Sequence, residues 1–318
     1  MRRHLVLGGL VVLGALSMTA VSAQQQPPKP AAAAIKVIKL KDNLFVLNAL
    51  AGGGGGNTSV WITETGVVVV DTKNPGWGQP LLEVIKTLTP KPVTLIVNTH
   101  THGDHVSGNV EFPATVDVVT HENTKANMME MRPASFAAQP ASGPPPNIFT
   151  TNNGTNLPKR TFKDSLTIGS GADRIELHYF GRAHTNGDAM VLFPAARVLH
   201  MADVFPTKGV PGMDANNGGT GVGYADTLAK VAAFADRNNV QTIVNGHHET
   251  TTTRADLREY IQFVRDFVKT VQDGKKAGKS VDEVAKAWAT PAKYAGYEAM
   301  PIPVRVRADA ELIYKETN

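Results

Sequence analysis

The chain has 318 residues, 42% hydrophobic and 19% charged, a balance that supports a packed core and excludes wholesale disorder. Its formal charge of +4 falls to +2 without Arg2 and Arg3, too little for an electrostatic footprint on nucleic acid. Cysteine is absent; this excludes disulfides, thiolate nucleophiles, iron–sulfur clusters and Cys-ligated zinc, so any metal must be held by nitrogen and oxygen.

Residues 1–23 read as a secretory signal. Arg2 and Arg3 form the positive n-region, Leu5 to Leu16 the apolar run, and Val21-Ser22-Ala23 a small-residue cleavage site. The apolar run is shorter than the roughly 20 residues a bilayer span needs, so no stable membrane anchor is expected after cleavage, and the mature protein is expected to be periplasmic or secreted. Residues 24–34 form a polar Pro/Ala-rich linker, and 35–318 read as one domain with C-terminal helices.

From Ile35 onward β-type runs alternate with helical patterns. The patterning predicts strands over Leu44–Asn48, Ser59–Ile62, Val67–Val70, Val93–Asn98 and Val116–Thr120, and helices over Gln79–Thr87 and Glu122–Met131. Residues 133–160, rich in Pro, Gly, Asn and Ser, are too long for an ordinary connection and read as a functional or mobile loop. Strands are then predicted over Ser165–Ile168, Arg174–Tyr179, Ala189–Phe193, Arg197–Met201 and Gln241–Val244. Helices are predicted over Thr227–Asn238, Arg254–Lys269 and Val281–Ala289. Two successive groups of strands, each followed by helices, suggest two similar halves.

The chemistry concentrates in Asn98-Thr99-His100-Thr101-His102-Gly103-Asp104-His105. It follows the apolar run Val93–Val97, so a buried strand delivers it to a sheet edge. Two residues apart on a strand, His100 and His102 would face the same way and grip one ion. Gly103 permits a change of direction, which offsets Asp104 and His105 towards a second ion or the start of a helix.

This H-x-H-x-D-H run resembles the hallmark of the metallo-β-lactamase superfamily, and the family's other pieces follow in order over about residues 36–260. They are Asp71 after Val67–Val70, His184 in GRAHTNGD, Asp203 after Leu199–Ala202, and His247 in VNGHH, where His248 stands as the alternative. The resemblance implies an α/β fold, a four-layer αββα sandwich of two similar halves. It also implies that His100, His102 and His184 hold one metal, that Asp104, His105 and His247 hold a second, and that Asp203 bridges them. Zinc suits such a donor set, two ions per chain, with manganese or iron also accommodated. A hydroxide shared between the ions would attack a carbonyl carbon, with Asp104 and Asp203 as the catalytic carboxylates. No G-x-S-x-G motif suggests a serine nucleophile. Asp203 stands where many lactamases carry Cys or Ser and looks more like glyoxalase II or the acyl-homoserine lactonases. Ala202 replaces the usual Gly before it.

Other features read as supporting structure. Asp71 is expected to orient a ligand or bond loop amides, Asp188 to orient the His184 loop, and His121, His178 and His200 to pack in the core or on the surface. Gly52–Gly56 lacks the Lys-Ser/Thr of a P-loop and reads as a flexible hairpin loop near the metal mouth. Lys208 reads as solvated, with pairing to a substrate carboxylate as the alternative. Pocket shape is expected from loops 51–58, 133–160 and 205–222.

The leading expectation is an exported dinuclear zinc hydrolase that cleaves a small ester, thioester, lactone or β-lactam. Glutathione-thioester chemistry is disfavoured by export, and a nuclease role by the near-neutral charge. Two alternatives remain: an iron-dependent oxidoreductase of the persulfide-dioxygenase kind, and a non-catalytic metal-binding protein. The expected partner is a small molecule; oligomeric state is not legible.

Overall fold

The valine run Val67–Val70 (β4) is buried on both faces: Val68 and Val70 meet the opposite sheet, while Val67 and Val69 meet a helix layer. Such a run belongs at the centre of a sheet covered on both sides. In the computed structural model, which describes residues 31–137, 141–298 and 302–318, β4 is the middle strand of seven. The first sheet runs in chain order through β1 (Lys36–Lys41), β2 (Leu44–Asn48), β3 (Thr58–Ile62), β4, β5 (Val93–Val97), β6 (Asp117–His121) and β7 (Arg160–Phe162). The second contains β8 (Ser165–Ile168), β9 (Ile175–Tyr179), β10 (Ala189–Phe193), β11 (Val198–Ala202) and β12 (Thr242–Asn245), in the order β12-β11-β10-β9-β8.

The sheets face each other across a core that includes Trp61, Val97 and Phe193. Outside the first sheet, α1 (Gly78–Leu88) buries Leu81, Val84 and Ile85, the spacing of one helical face. Outside the second, α5 (Tyr224–Arg237) and α6 (Arg254–Lys276) build the largest apolar cluster. The result is the expected four-layer αββα sandwich, one sheet from each half of the chain.

The differences from sequence expectation have local causes. Edge strand β1 mixes lysines with apolar residues and leaves the lysines exposed; lysines on an edge deter pairing with another chain, and they weaken the strand signal. Helix α6 runs seven residues past Lys269 because Val271 and Gly274 stay buried, Gly274 against Val284 of α7 (Val281–Ala287). The sequence reading missed α8 (Pro303–Glu316), whose buried stripe Val306, Asp309, Ala310, Ile313 includes a carboxylate and so does not read as apolar. Within 133–160 a short helix, α4 (Ile148–Thr151), anchors Phe149 beside Met128 of α3 (Glu122–Glu130). Of the linker 24–34, Ala32–Ala34 form a 3-10 turn against the first core; the signal at 1–23 lies outside the described residues. Among the described residues no helix is long and apolar enough to cross a membrane.

Candidate metal centre

Five segments that leave sheet strands or strand-connecting loops converge at one edge of the sandwich. Asp71 follows β4, residues 98–105 follow β5, His184 lies between β9 and β10, Asp203 follows β11, and His247 follows β12. Beyond Val97 the chain has already left the sheet, so His100 and His102 do not share a strand face as the sequence reading supposed. Asp71 holds their loop instead, accepting from the Thr99 amide at 2.8 Å and the Thr99 hydroxyl at 2.7 Å. The loop then turns at Gly103 into α2 (Gly103–Val106), a single helical turn that carries Asp104 and His105.

The predicted site residues come together. His100, His102, His184 and Asp203 present one potential ligand atom each, all within 4.8 Å of one another, and Asp104, His105 and His247 form a second such group. Asp203 touches both. Its Oδ2 lies 3.2 Å from His247 Nε2, 3.7 Å from His184 Nε2 and 4.0 Å from His100 Nε2, while Oδ1 lies 3.3 Å from His105 Nε2. His247 Nε2 is 3.3 Å from Asp104 Oδ2, whereas His248 turns away to Thr250.

In His100, His102, His105 and His184 the inward-facing nitrogen is set by a bond on the other side of the ring, the arrangement by which outer partners fix the tautomer of a ligating histidine. His102 Nε2 donates to Asp214 Oδ2 at 2.7 Å, His184 Nδ1 to the Gly212 carbonyl at 2.6 Å, and His105 Nδ1 to Asp71 Oδ2 at 2.7 Å. His100 Nδ1 donates to Thr99 Oγ1 at 3.0 Å, the hydroxyl proton being engaged with Asp71. The inner nitrogens His102 Nδ1 and His184 Nε2 therefore carry lone pairs, yet they face each other at 2.9 Å. His100 Nε2 is buried with no hydrogen-bond partner among the described residues. Converging, desolvated lone pairs repel unless a cation lies between them, so this donor set fits a divalent metal.

The two groups differ electrostatically. Burial, with neighbouring imidazoles, pushes His100 well below the ordinary histidine value and His184 down to about 4. Burial also pulls on His105 and His247, but there the carboxylates win. Asp203, Asp104 and Asp71 hold His105 well above its ordinary value, and Asp203 and Asp104 raise His247 to about 9. Burial opposes ionisation of Asp203, yet His247 and His105 hold it well below the usual carboxylate range.

Three supporting residues escaped the sequence reading. Asp214 bonds His102 across 112 residues of chain, and Gly212 lends only a carbonyl, so neither leaves a local signal. Lys73 is fully buried with φ +71 and donates from Nζ to the Gly56 carbonyl at 2.7 Å. Burial lowers its pKa to about 7, against Asp71 and Asp104. Asp188 behaves as expected, accepting from the Thr185 amide at 2.9 Å. His200 is a core residue bonded to Ser59 Oγ at 2.8 Å, and His121 caps α3 through the Asn123 amide. Lys208 is engaged with Asp256 at 2.7 Å rather than free in solvent. Ala202 adopts φ +43, a left-handed conformation that a glycine there would meet without strain.

The glycine run corrects another expectation. Its end is a buried buttress: a Cβ on Gly56 would stand 2.1 Å from His105 Cε1. Gly246 is likewise constrained, since a Cβ there would stand 1.8 Å from Asp203 Oδ1. Gly56→Ala is accordingly expected to displace His105 and weaken the second group's affinity for zinc about 10–100-fold, the usual size of a ligand-orientation defect. Binding at the first group should be nearly unchanged. Competition titration against a chromophoric chelator reads both steps; two unaltered steps would refute the buttress.

A cavity of about 480 Å³ opens over the two groups. Met131, Pro133, Ala134 and Phe136 line one wall, and Pro206, Thr207 and Gly212 another, so loops 133–160 and 205–222 shape it as expected. Loop 51–58 does not contribute. Its place is taken by the C-terminal segment, through Glu298, Ile302 and Arg305. The Arg305 guanidinium lies 5.7 Å from the Phe136 ring centre, and its Nε has no hydrogen-bond partner among the described residues.

The chain belongs to the metallo-β-lactamase superfamily, whose profile matches residues 51–264, more than half of its length. Among curated relatives, it is 29% identical over 143 residues to the 2,4-dinitroanisole O-demethylase subunit alpha of Nocardioides sp., a stretch covering 44% of this chain and 38% of that subunit. It is also 33% identical over 73 residues to the metallo-beta-lactamase domain-containing protein 1 of Homo sapiens, covering 22% and 27%. The chain thus spans well under half the length of these relatives. Solved structures share the fold. A metallo-beta-lactamase from Pontibacter korlensis has a TM-score of 0.56 at 19% identity, with 73% of this chain and 99% of that one covered. The DIM-1 metallo-beta-lactamase exposed to ceftazidime has 0.57 at 17%, with 76% and 99% covered.

Proposed function

We propose that this chain is an exported metal-dependent hydrolase that holds two zinc ions and cleaves a small ester, thioester, lactone or β-lactam. The observation that carries the reading is the convergence of outward-anchored imidazoles and two carboxylates on the floor of a cavity. His100, His102 and His184 would hold one ion, and Asp104, His105 and His247 the other, with Asp203 between them. Metal ions in such a site polarise a scissile carbonyl and activate water at neutral pH.

The protein's own residues do the rest. Asp71, Thr99, Asp214 and the Gly212 carbonyl keep the donor atoms aimed inward, which limits reorganisation during reaction. Phe136, Met131, Pro133 and Ile302 supply apolar walls against which a substrate body can displace water, and Arg305 adds a cationic group at the rim. Export rests on residues 1–23 and places the enzyme in the periplasm or outside the cell. The demethylase-named relative supports a second bond class, an aryl methyl ether. Iron in the same nitrogen and oxygen donors is the basis of a redox alternative.

The test is a turnover screen of purified mature protein against nitrocefin, a γ-lactone, a thioester, an aryl acetate and 2,4-dinitroanisole. Hydrolysis of at least one, abolished by chelation and restored by zinc, is the expected result. Failure with all five, together with one iron per chain, would favour the redox alternative.

A further inference from the structure

Helix α8 lies at the end of the chain, beyond the stretch matched by the family profile, yet it bonds directly to the loop behind the first group of ligands. Asp309 is fully buried, and its Oδ1 accepts from the Met213 amide at 2.9 Å. Met213 sits between two residues that each aim a different histidine: the Gly212 carbonyl accepts from His184 Nδ1, and the Asp214 carboxylate accepts from His102 Nε2. The Asp214 amide in addition donates to the His184 carbonyl at 2.9 Å. At the last residue of the helix, Glu316 Oε2 accepts from the Thr220 hydroxyl and from the Gly221 and Val222 amides at 2.8–3.0 Å. The Thr220 amide donates in turn to the Ala183 carbonyl, beside His184, at 2.9 Å.

Two acidic side chains of α8 thus hold the loop that positions His102 and His184, one at its middle and one at its end. An apolar residue would pack in the same core without bonding the loop. A carboxyl group at position 309 is costly there, because Oδ2 has no partner among the described residues and burial, with the Asp214 carboxylate nearby, pushes its pKa well up. Asp309 stands in a stripe where leucine would be the cheaper residue, and the bond to Met213 is what it gains.

We propose that Asp309 is a positioning residue for the metal centre, so that docking of α8 and metal binding by His100, His102 and His184 are coupled. Binding at one end tightens the Gly212–Asp214 run, and the tightened run holds the helix. By linkage the coupling is reciprocal: anything that loosens α8 weakens the metal, and metal loss loosens α8. The inference rests on the metal-binding reading above.

Two measurements on the full mature chain test it. In chelator competition, Asp309→Leu should weaken zinc binding at the first group about 10–100-fold while leaving the second within a few-fold. Asp309→Asn, whose amide oxygen can still accept from Met213, should bind like the unaltered protein. In hydrogen exchange of the unaltered protein, zinc should slow the amides of α8 by tenfold or more beyond any change in α1, which bonds to neither group. A folded Asp309→Leu variant with normal zinc affinity overturns the coupling. If that variant does not fold, equal protection of α8 and α1 on adding zinc overturns it. Failure of the unaltered chain to bind zinc at all would overturn the metal reading itself.

Discussion

Replacing Asp203 by alanine should lower kcat/KM by roughly a thousandfold or more, about 4 kcal/mol of lost transition-state stabilisation. The size follows from position. Its two carboxylate oxygens lie 3.2–4.0 Å from four imidazole nitrogens drawn from both groups, so it faces the donor atoms of both. The carboxylate is held ionised against burial, and its removal would take a full negative charge from a desolvated cluster of histidines. The fold should survive the substitution. The Asp203 carbonyl, which the variant retains, accepts from the Tyr224 hydroxyl at 3.0 Å, and the neighbouring Ala202 carbonyl accepts from the Gly246 amide at 2.9 Å. Asp203→Asn keeps the shape and one acceptor oxygen without the charge, and should fall between alanine and the unaltered protein. Turnover by a zinc-replete Asp203→Ala sample within tenfold of normal would contradict this role.

The second large effect is a difference in pH dependence between the two groups of ligands. His247 is raised to about 9 and His105 lies well above its ordinary value, so in the metal-free protein both are imidazolium at neutral pH. A metal must displace those protons. Its affinity there should therefore rise with pH, by about tenfold per unit for each imidazolium discharged, with the His247 contribution levelling off above pH 9. Between pH 7 and 9 that is a gain of about a hundredfold for His247 alone. His184 and His100 are pushed the opposite way and are already neutral at pH 7, so the first group pays no such proton penalty from them. Zinc titrations at pH 6, 7, 8 and 9 should show one shallower step and one steeper step, with the larger proton release in the steeper one. Equal slopes would contradict the assignment.

How far the sequence revealed this centre depends on how local each piece of chemistry is. His100, His102, Asp104 and His105 crowd into six residues, and His184, Asp203 and His247 each follow a strand or sit in a glycine-flanked turn, so the chemistry is written in short range. The sandwich was legible for the same reason: strands such as Val67–Val70 announce burial on both faces. What stayed hidden is long-range. Asp214 serves His102 across 112 residues and Asp309 serves Met213 across 96, and an aspartate in a loop or on a helix reads as solvated until its partner is placed. Gly56 looked like part of a flexible run because a glycine's reason, here the ring of His105, lies outside its own neighbourhood. Lys73 is the extreme case, a lysine buried completely, where composition predicts exposure.

The most direct test of the account is the number of zinc ions bound per chain, measured by equilibrium dialysis and elemental analysis of the mature protein at pH 8. Two ions in the unaltered protein and one in Asp104→Ala are the predicted result. No bound zinc in the unaltered protein, or two ions retained by the variant, would contradict it.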